Sequence, residues 1–303
     1  MSGSEAAERR TVAIHTHGCK LNQADSQTLA RQFREAGYVV VGPSSAADVV
    51  VLNTCTVTAT ADSKARQILR SSRRRNPDAV VVATGCYAQR APAELEKMDA
   101  VSLVVGNTAK SDLVAAASLA LKVPAAQNVP AAQPGTREVG RTRAMVKIQE
   151  GCDQVCAYCI VPKVRGRERS IPSETIVAEI NRRAAEGCRE VALTGTQLGT
   201  YGFDIPGWDL VRLLERVLGE TSIERLRVSS LQAHEITEGL LGLWNNPRLM
   251  RHFHIPLQSG ERFNSPSDAS PIQQTGVCGR CVLGAFKVAG RRDYHRHHSG
   301  VSW

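Results

Sequence analysis

No stretch of this 303-residue chain approaches the roughly 18 uncharged apolar residues that a membrane-crossing helix requires. The opening MSGSEAAERR has no apolar h-region, so it does not read as a secretory signal. The two absences point to a cytoplasmic protein with no membrane partner. A disulfide framework is also disfavoured: nine cysteines is an odd number, and in a reducing compartment clustered cysteines are more often metal ligands or catalytic groups. One further absence carries most weight. The segment EGCDQVCAYC places Cys152, Cys156 and Cys159 within eight residues and offers no fourth, whereas four ligands would close a structural metal site.

What is present bounds the answer further. The length suggests about two domains, and 42% hydrophobic residues suffice for real cores. A net charge of +9 suits an anionic partner, although most Lys and Arg simply solvate a surface. Residues 11–19, 47–55, 79–86 and 102–106 read as buried strands, and between them residues 23–36, 60–75, 91–98 and 109–121 carry helical patterns. That alternation predicts an open parallel α/β sheet domain over 11–122, after a disordered start at 1–10. Residues 123–143, rich in Pro, Ala and Gln, read as a linker. A second series follows, with strands at 144–152, 190–197, 225–232 and 252–260 and helices at 173–187, 208–219 and 235–245. Its spacing suits a partial barrel of βα units over 144–260.

Cys19, Cys55 and Cys86 each fall just past the carboxyl end of a predicted strand, and in parallel α/β folds those ends converge on one crevice. Three cysteines far apart in sequence can therefore meet as metal ligands; the competing reading makes each a small buried hydrophobe. The turns that follow them, CKLNQ, CTVTAT and CYAQR, are polar and suit an exposed crevice. The second triad can hold three irons of a [4Fe–4S] cluster and leave the fourth open, since closed electron-transfer clusters take four cysteines. Zinc is the alternative there, with a His or one of Cys188, Cys278 and Cys281 as the fourth ligand.

The C-x3-C-x2-C loop, with the aromatic Tyr158 before its last cysteine, resembles the signature of the radical S-adenosylmethionine (SAM) enzymes. THGCKLNQADS, NTCTVTATADSKARQ and ATGCYAQR resemble the amino-terminal domain of the methylthiotransferases within that superfamily, and the likeness runs from about 11 to 260. The resemblance implies two [4Fe–4S] clusters. Cys19, Cys55 and Cys86 would hold an auxiliary one; Cys152, Cys156 and Cys159 would hold the one whose open iron binds SAM. It implies that Tyr158, Gly195, Gly199 and Ser229 help bind SAM, the two glycines by letting backbone approach its methionine end. Ser230 and His254 would line the same face with Ser229, and a barrel-filling role is the alternative for any one of the three. GCKLNQ with NTCTVT resembles most the branch that acts on threonylcarbamoyladenosine (t6A) at tRNA position 37; the other branches act on isopentenyladenosine in tRNA or on a ribosomal-protein aspartate. The implied partners are the tRNA anticodon stem-loop and an electron donor such as flavodoxin or ferredoxin. The implied chemistry uses SAM twice, to methylate sulfur and to generate a radical that takes hydrogen from C2 of adenine.

Three features stand outside that pattern. Arg66, Arg70, Arg73, Arg74 and Arg75 form a basic run compatible with phosphate contact or with a solvated helix face. His15 and His17 alternate along the first strand, with a strand-end polar contact expected for His17 rather than ligation. Residues 261–303, with Cys278-x2-Cys281 and YHRHHSG, match neither further barrel units nor the RNA-binding TRAM domain that family members carry. A frameshift or truncation would give such a tail, and the chain as written is then expected to be weakly active or inactive. A non-catalytic iron–sulfur or zinc RNA-binding protein is the remaining alternative.

Overall fold

The strand Val49–Thr54 is buried at all six positions, as is Val80–Gly85, and a strand buried on both faces needs cover on both. A computed structural model describes residues 10–121, 142–154, 156 and 158–255 and shows how that cover is supplied. The described residues form two compact units, the first made of the amino-terminal part together with Lys163–Arg165 and the second of the remainder.

In the first unit β1 (Thr11–Thr16), β2 (Val39–Val41), β3 (Val49–Thr54), β4 (Val80–Gly85) and β5 (Leu103–Val105) form one parallel sheet in the order β2-β1-β3-β4-β5. Alternate residues serve opposite faces. Val49 and Val51 pack with Leu29 and Phe33 of α1 (Lys20–Glu35) and with Leu113 of α5 (Leu113–Ala120). Val50 and Leu52 pack with Leu69 of α2 (Ala59–Arg75) and with Tyr87 and Leu95. Successive connections reverse direction between β1 and β3, which makes the carboxyl ends of those two strands the switch point where open α/β sheets place their ligands.

The helix expected at 91–98 is instead a pair, α3 (Cys86–Arg90) and α4 (Pro92–Glu96). Pro92 has no N–H and a fixed φ, so it opens a new helix and interrupts the old one. The short edge strand β2 escaped the sequence reading because three half-buried valines carry no periodicity.

The second unit is built on β6 (Arg143–Lys147), with a parallel sheet in the order β10-β9-β6. Here β9 is Glu190–Thr194 and β10 is Arg225–Val228. A two-residue antiparallel ladder of β7 (Gln149–Glu150) and β8 (Arg169–Ser170) follows β6, and α6 (Val161–Arg165) lies between its arms in sequence. Helices α7 (Ser173–Ala185) and α8 (Leu210–Glu220) cover the sheet, where Ile176, Ile180, Leu213 and Val217 pack on Val146, Val191, Leu193 and Leu226. The short helix α9 (Glu238–Gly242) follows β10. At the start of β9 the buried Glu190 takes Arg143, Arg225 and Arg227 from the flanking strands. Burial alone would raise this carboxyl, but Arg227 and Arg143 bring it below the usual range.

Two parallel bridges, Leu226 with Leu249 and Ser230 with His254, mark the approach of the chain where a fourth strand is expected at 252–260. Residues 256–260 of that strand lie outside the described residues, as do 1–9, nearly all of the 123–143 linker and the 261–303 tail with Cys278 and Cys281. Among the described residues no helix is long and apolar enough to cross a membrane.

Candidate functional site

Cys19, Cys55 and Cys86 stand past the carboxyl ends of β1, β3 and β4, three adjacent strands of which the first two flank the switch point. Cys19 is the N-cap of α1, Cys55 follows Thr54, and Cys86 is the first residue of α3. Two glycines allow the ends to close up. Gly18 has φ 128°, and a Cβ there would sit 2.8 Å from the Cys55 Cβ; Gly85 has φ 94°, and its Cβ would sit 2.5 Å from the Thr54 carbonyl oxygen. Burial pushes the Cys55 thiol up, and the neighbouring Cys86 and Cys19 push it in the same direction, so the three share one electrostatic environment. The crevice is graded: Cys19 is exposed, Cys55 half-buried and Cys86 buried. Cys86 departs from the exposed crevice that the polar turns suggest, because the residues after it pack Tyr87 and Ala88 into the core.

A buried amide lattice holds these turns. Asn22 Nδ2 donates to the carbonyls of His17 at 2.8 Å and Thr54 at 2.9 Å, the residues just ahead of Gly18 and Cys55. Asn53 Nδ2 returns a bond to the Asn22 carbonyl at 2.9 Å. Thr54 Oγ1 donates to the Thr84 carbonyl and accepts from the Tyr87 N–H at 3.2 Å, tying the Cys55 turn to the Cys86 turn. Asp25 lies below, in ion pairs with Lys110 at 3.0 Å and Arg165 at 3.2 Å, and the Arg165 guanidinium also donates to Asn22 Oδ1. Two residues before each cysteine a buried polar atom finds no partner in the described structure: His17 Nδ1, Asn53 Oδ1 and Thr84 Oγ1. Buried polar groups are ordinarily satisfied, so these three atoms beside the cysteine turns call for an explanation.

In the second unit the cysteine loop is clamped by the returning chain. The Cys152 N–H donates to the Gly166 carbonyl at 3.3 Å, the Glu168 N–H to Asp153 Oδ1 at 3.2 Å, and the Cys159 N–H to the Cys156 carbonyl at 3.2 Å. Burial raises the Cys152 thiol, and Glu168, Cys159 and Cys156 add to the rise. Burial also pushes the Glu168 carboxyl up to about 7, with Asp153 adding repulsion.

Gln149, fully buried, ties this loop to the end of β9. Its Nε2 donates to the Gly151 carbonyl at 2.9 Å, while its Oε1 accepts from the N–H groups of Thr196 and Gln197, both at 2.9 Å. Gln197 in turn donates to Glu235 and accepts from Gln232 Nε2 at 2.8 Å. Thr196 Oγ1 and Ser229 Oγ, just past the carboxyl ends of β9 and β10, and Glu168 Oε1, just ahead of β8, are buried without partners in the described structure. Among the described residues no three His, Cys, Asp or Glu side chains close on a single ion.

Two family models match the chain, one described as an uncharacterised protein family, UPF0004, over residues 11–106, and one as the radical SAM superfamily over 146–268. The threonylcarbamoyladenosine tRNA methylthiotransferase MtaB of Aquifex aeolicus is 42% identical over 259 residues, covering 82% of this chain and 63% of that protein. MtaB of Bacillus subtilis is 36% identical over 269 residues, covering 82% and 58%. The chain belongs to the radical SAM methylthiotransferase family. It spans under two thirds of the length of these curated relatives. A solved radical SAM methyltransferase, TsrM from Kitasatospora setae with cobalamin and a [4Fe-4S] cluster bound, superposes with a TM-score of 0.62 at 16% identity, covering 95% of this chain and 68% of that one. At that identity it supports the fold alone.

The residues present fit what a radical SAM methylthiotransferase holds. Each unit offers three thiols that influence one another electrostatically, and cysteine thiolates are the ligands that hold iron–sulfur clusters. Other expected positions fall out unevenly. Tyr158 is exposed at 62%, beside Cys159. The missing Cβ of Gly195 makes room for Gln149 and that of Gly199 for Glu235, so both glycines serve protein packing in this structure. Ser229 is buried with its hydroxyl unpartnered, whereas Ser230 is hydrogen-bonded to His254 Nδ1.

The basic run divides. Arg66 bonds Tyr87 Oη at 2.7 Å and Glu94 at 3.0 Å, and Arg73 bonds the carbonyls of Pro77 and Ala79, whereas Arg70 and Arg74 are exposed. Gln149, Glu168, Asn22 and Asn107 were missed by the sequence reading. A polar residue inside a predicted strand, as with Gln149, was the one available signal.

Proposed function

We propose that this chain carries the chemistry of 2-methylthiolation of t6A at position 37 of tRNA. The observation that carries the reading is the pair of three-cysteine sets, one past the carboxyl ends of each parallel sheet, in a chain 42% identical to an MtaB over 259 residues. Cys152, Cys156 and Cys159 would hold the SAM-binding [4Fe–4S] cluster, and Cys19, Cys55 and Cys86 a second. Together with SAM these groups supply the one-electron chemistry, methyl group and sulfur that side chains lack, and C2 of a purine offers no acidic proton to a general base.

The chain's own residues bind and orient. Gln149 fixes the turn at Thr196 and Gln197 against the cysteine loop, and the unpartnered Glu168, Thr196 and Ser229 atoms offer hydrogen-bonding positions for SAM. Tyr158 presents an exposed aromatic ring next to Cys159 in sequence. Arg70 and Arg74 offer phosphate contacts to the anticodon stem-loop, and a one-electron donor such as flavodoxin or ferredoxin completes the system.

The test compares nucleosides from tRNA of cells with and without the gene by mass spectrometry. Loss of the 2-methylthio derivative of t6A alone is expected. A relative named tRNA-2-methylthio-N(6)-dimethylallyladenosine synthase, from Syntrophobacter fumaroxidans, is 35% identical over 269 residues. Loss of the isopentenyladenosine derivative in place of the t6A one would therefore move the chain to that branch.

A further inference from the structure

Asn107 lies two residues past β5, next to the strand that delivers Cys86. Its amide uses both hydrogens: Nδ2 donates to the Val164 carbonyl at 2.7 Å and to Cys86 Sγ at 3.8 Å. Val164 is one of the three residues that count with the first unit. The orientation of the amide follows from that carbonyl, since rotating the side chain by half a turn would set oxygen against oxygen. Asn107 Oδ1 is left buried and without a partner in the described structure. An amide held so that its oxygen goes unsatisfied while its N–H faces sulfur is placed for the sulfur. Cys19 has the opposite neighbour, because there the thiol donates to Asn22 Oδ1 at 3.9 Å.

We propose that Asn107 is a positioning residue that raises the reduction potential of an iron–sulfur cluster held by Cys19, Cys55 and Cys86, with the Val164 carbonyl setting its aim. The Cys86 thiol stands here for a thiolate ligand. An N–H donor on a ligating sulfur stabilises the electron-rich, reduced cluster more than the oxidised one, and such bonds are among the determinants of cluster potential. The inference rests on the assignment of a second cluster to these three cysteines.

The experiment uses the full chain with Cys152, Cys156 and Cys159 replaced by Ala, so that one cluster remains. Asn107→Leu removes the donor, and the isosteric Asn107→Asp removes it and adds negative charge. Iron and sulfide are counted after anaerobic reconstitution, and the midpoint is read by mediated titration followed by electron paramagnetic resonance. The expected result is unchanged iron and a lower midpoint in both variants, with Asp the lower of the two. For Leu the shift is on the order of a tenfold change in the reduced-to-oxidised ratio, ~59 mV for one electron. An unmoved midpoint in a fully loaded variant overturns the proposal, and so does loss of iron from both, which would make Asn107 structural. If the parent binds no cluster, the assignment of these cysteines fails first, and the proposal goes with it.

Discussion

The two cysteine sets are held by different means. In the first unit three cysteines from three strands, 67 positions apart at the extremes, are held by buried side-chain amides and hydroxyls that cross-brace separate turns. In the second unit three cysteines share one loop, and the returning backbone clamps it, with Gln149 as the side chain that reaches across. A dispersed site depends on the whole sheet being in register, while a contiguous one depends on its own loop. The two should therefore fail differently.

The largest effect separates the sets directly. Replacing Cys152, Cys156 and Cys159 by Ala should remove about half of the iron taken up on anaerobic reconstitution and abolish SAM cleavage, since the open iron goes with them. Replacing Cys19, Cys55 and Cys86 should remove the other half while SAM cleavage persists. Iron content and release of 5′-deoxyadenosine are the measurements. Zinc in place of iron in either preparation would break the comparison altogether.

Next in size is Gly85→Ala. Its φ of 94° disfavours any side chain, and a Cβ would press on Thr54 O at 2.5 Å and Thr54 N at 2.6 Å, both backbone atoms that cannot swing aside. About 3 kcal/mol of stability should be lost, read by chemical denaturation of the metal-free chain. Iron uptake by the Cys19, Cys55 and Cys86 set should fall with it.

A matched pair of amides sharpens the contrast. Asn22→Ala removes two donors from strand-end carbonyls and one acceptor from the buried Arg165. Gln149→Ala removes one donor and an acceptor shared by two N–H groups. Each should cost about 2 to 3 kcal/mol, with Asn22 the larger because a buried guanidinium loses a partner. Hydrogen exchange locates the damage. It should quicken at the turns after β1 and β3 in the first variant and at residues 195–197 in the second.

The same contrast explains what the sequence could disclose. The contiguous triad is visible as spacing, and the all-buried runs VVVLNT and VVVATG announce their strands without any partner in view. The dispersed triad became visible only because each cysteine follows a predicted strand, although the strand before Cys19 is only partly buried. Its braces did not, because the bonds of Asn22 to Thr54 and of Thr54 to Thr84 join residues about 30 positions apart that no local pattern links. Arg165 pairs with Asp25 across 140 positions, a partner that no local pattern around either residue indicates. Asn107 followed a short strand in an unremarkable turn. Composition and period report what a residue avoids, water or the core, whereas these side chains are defined by the atoms they reach.

The smallest expected effect tests whether the second loop carries its own electrostatic strain. Glu168 is buried, and its carboxyl is pushed up to about 7, first by burial and then by Asp153. In the unfolded chain the same group titrates near the ordinary glutamate value, about 4.3. A folded pKa above the unfolded one means that the folded state holds the proton more tightly. The contribution is then fully present below the unfolded value and is lost as pH rises through about 7. Metal-free wild type should accordingly lose stability between pH 5 and 8, by on the order of 2 kcal/mol from this group. His15, whose pKa burial lowers, slopes the other way below its ordinary value, and Glu235, raised by burial, slopes with Glu168. The difference between wild type and Glu168→Gln isolates the one residue, because both other groups cancel in the subtraction. Denaturation midpoints across that range should converge for the two proteins at low pH and diverge in favour of Glu168→Gln toward pH 8. Parallel curves would mean that the carboxylate is already compensated in the folded loop, and that the clamp on Cys152 carries no charge penalty of its own.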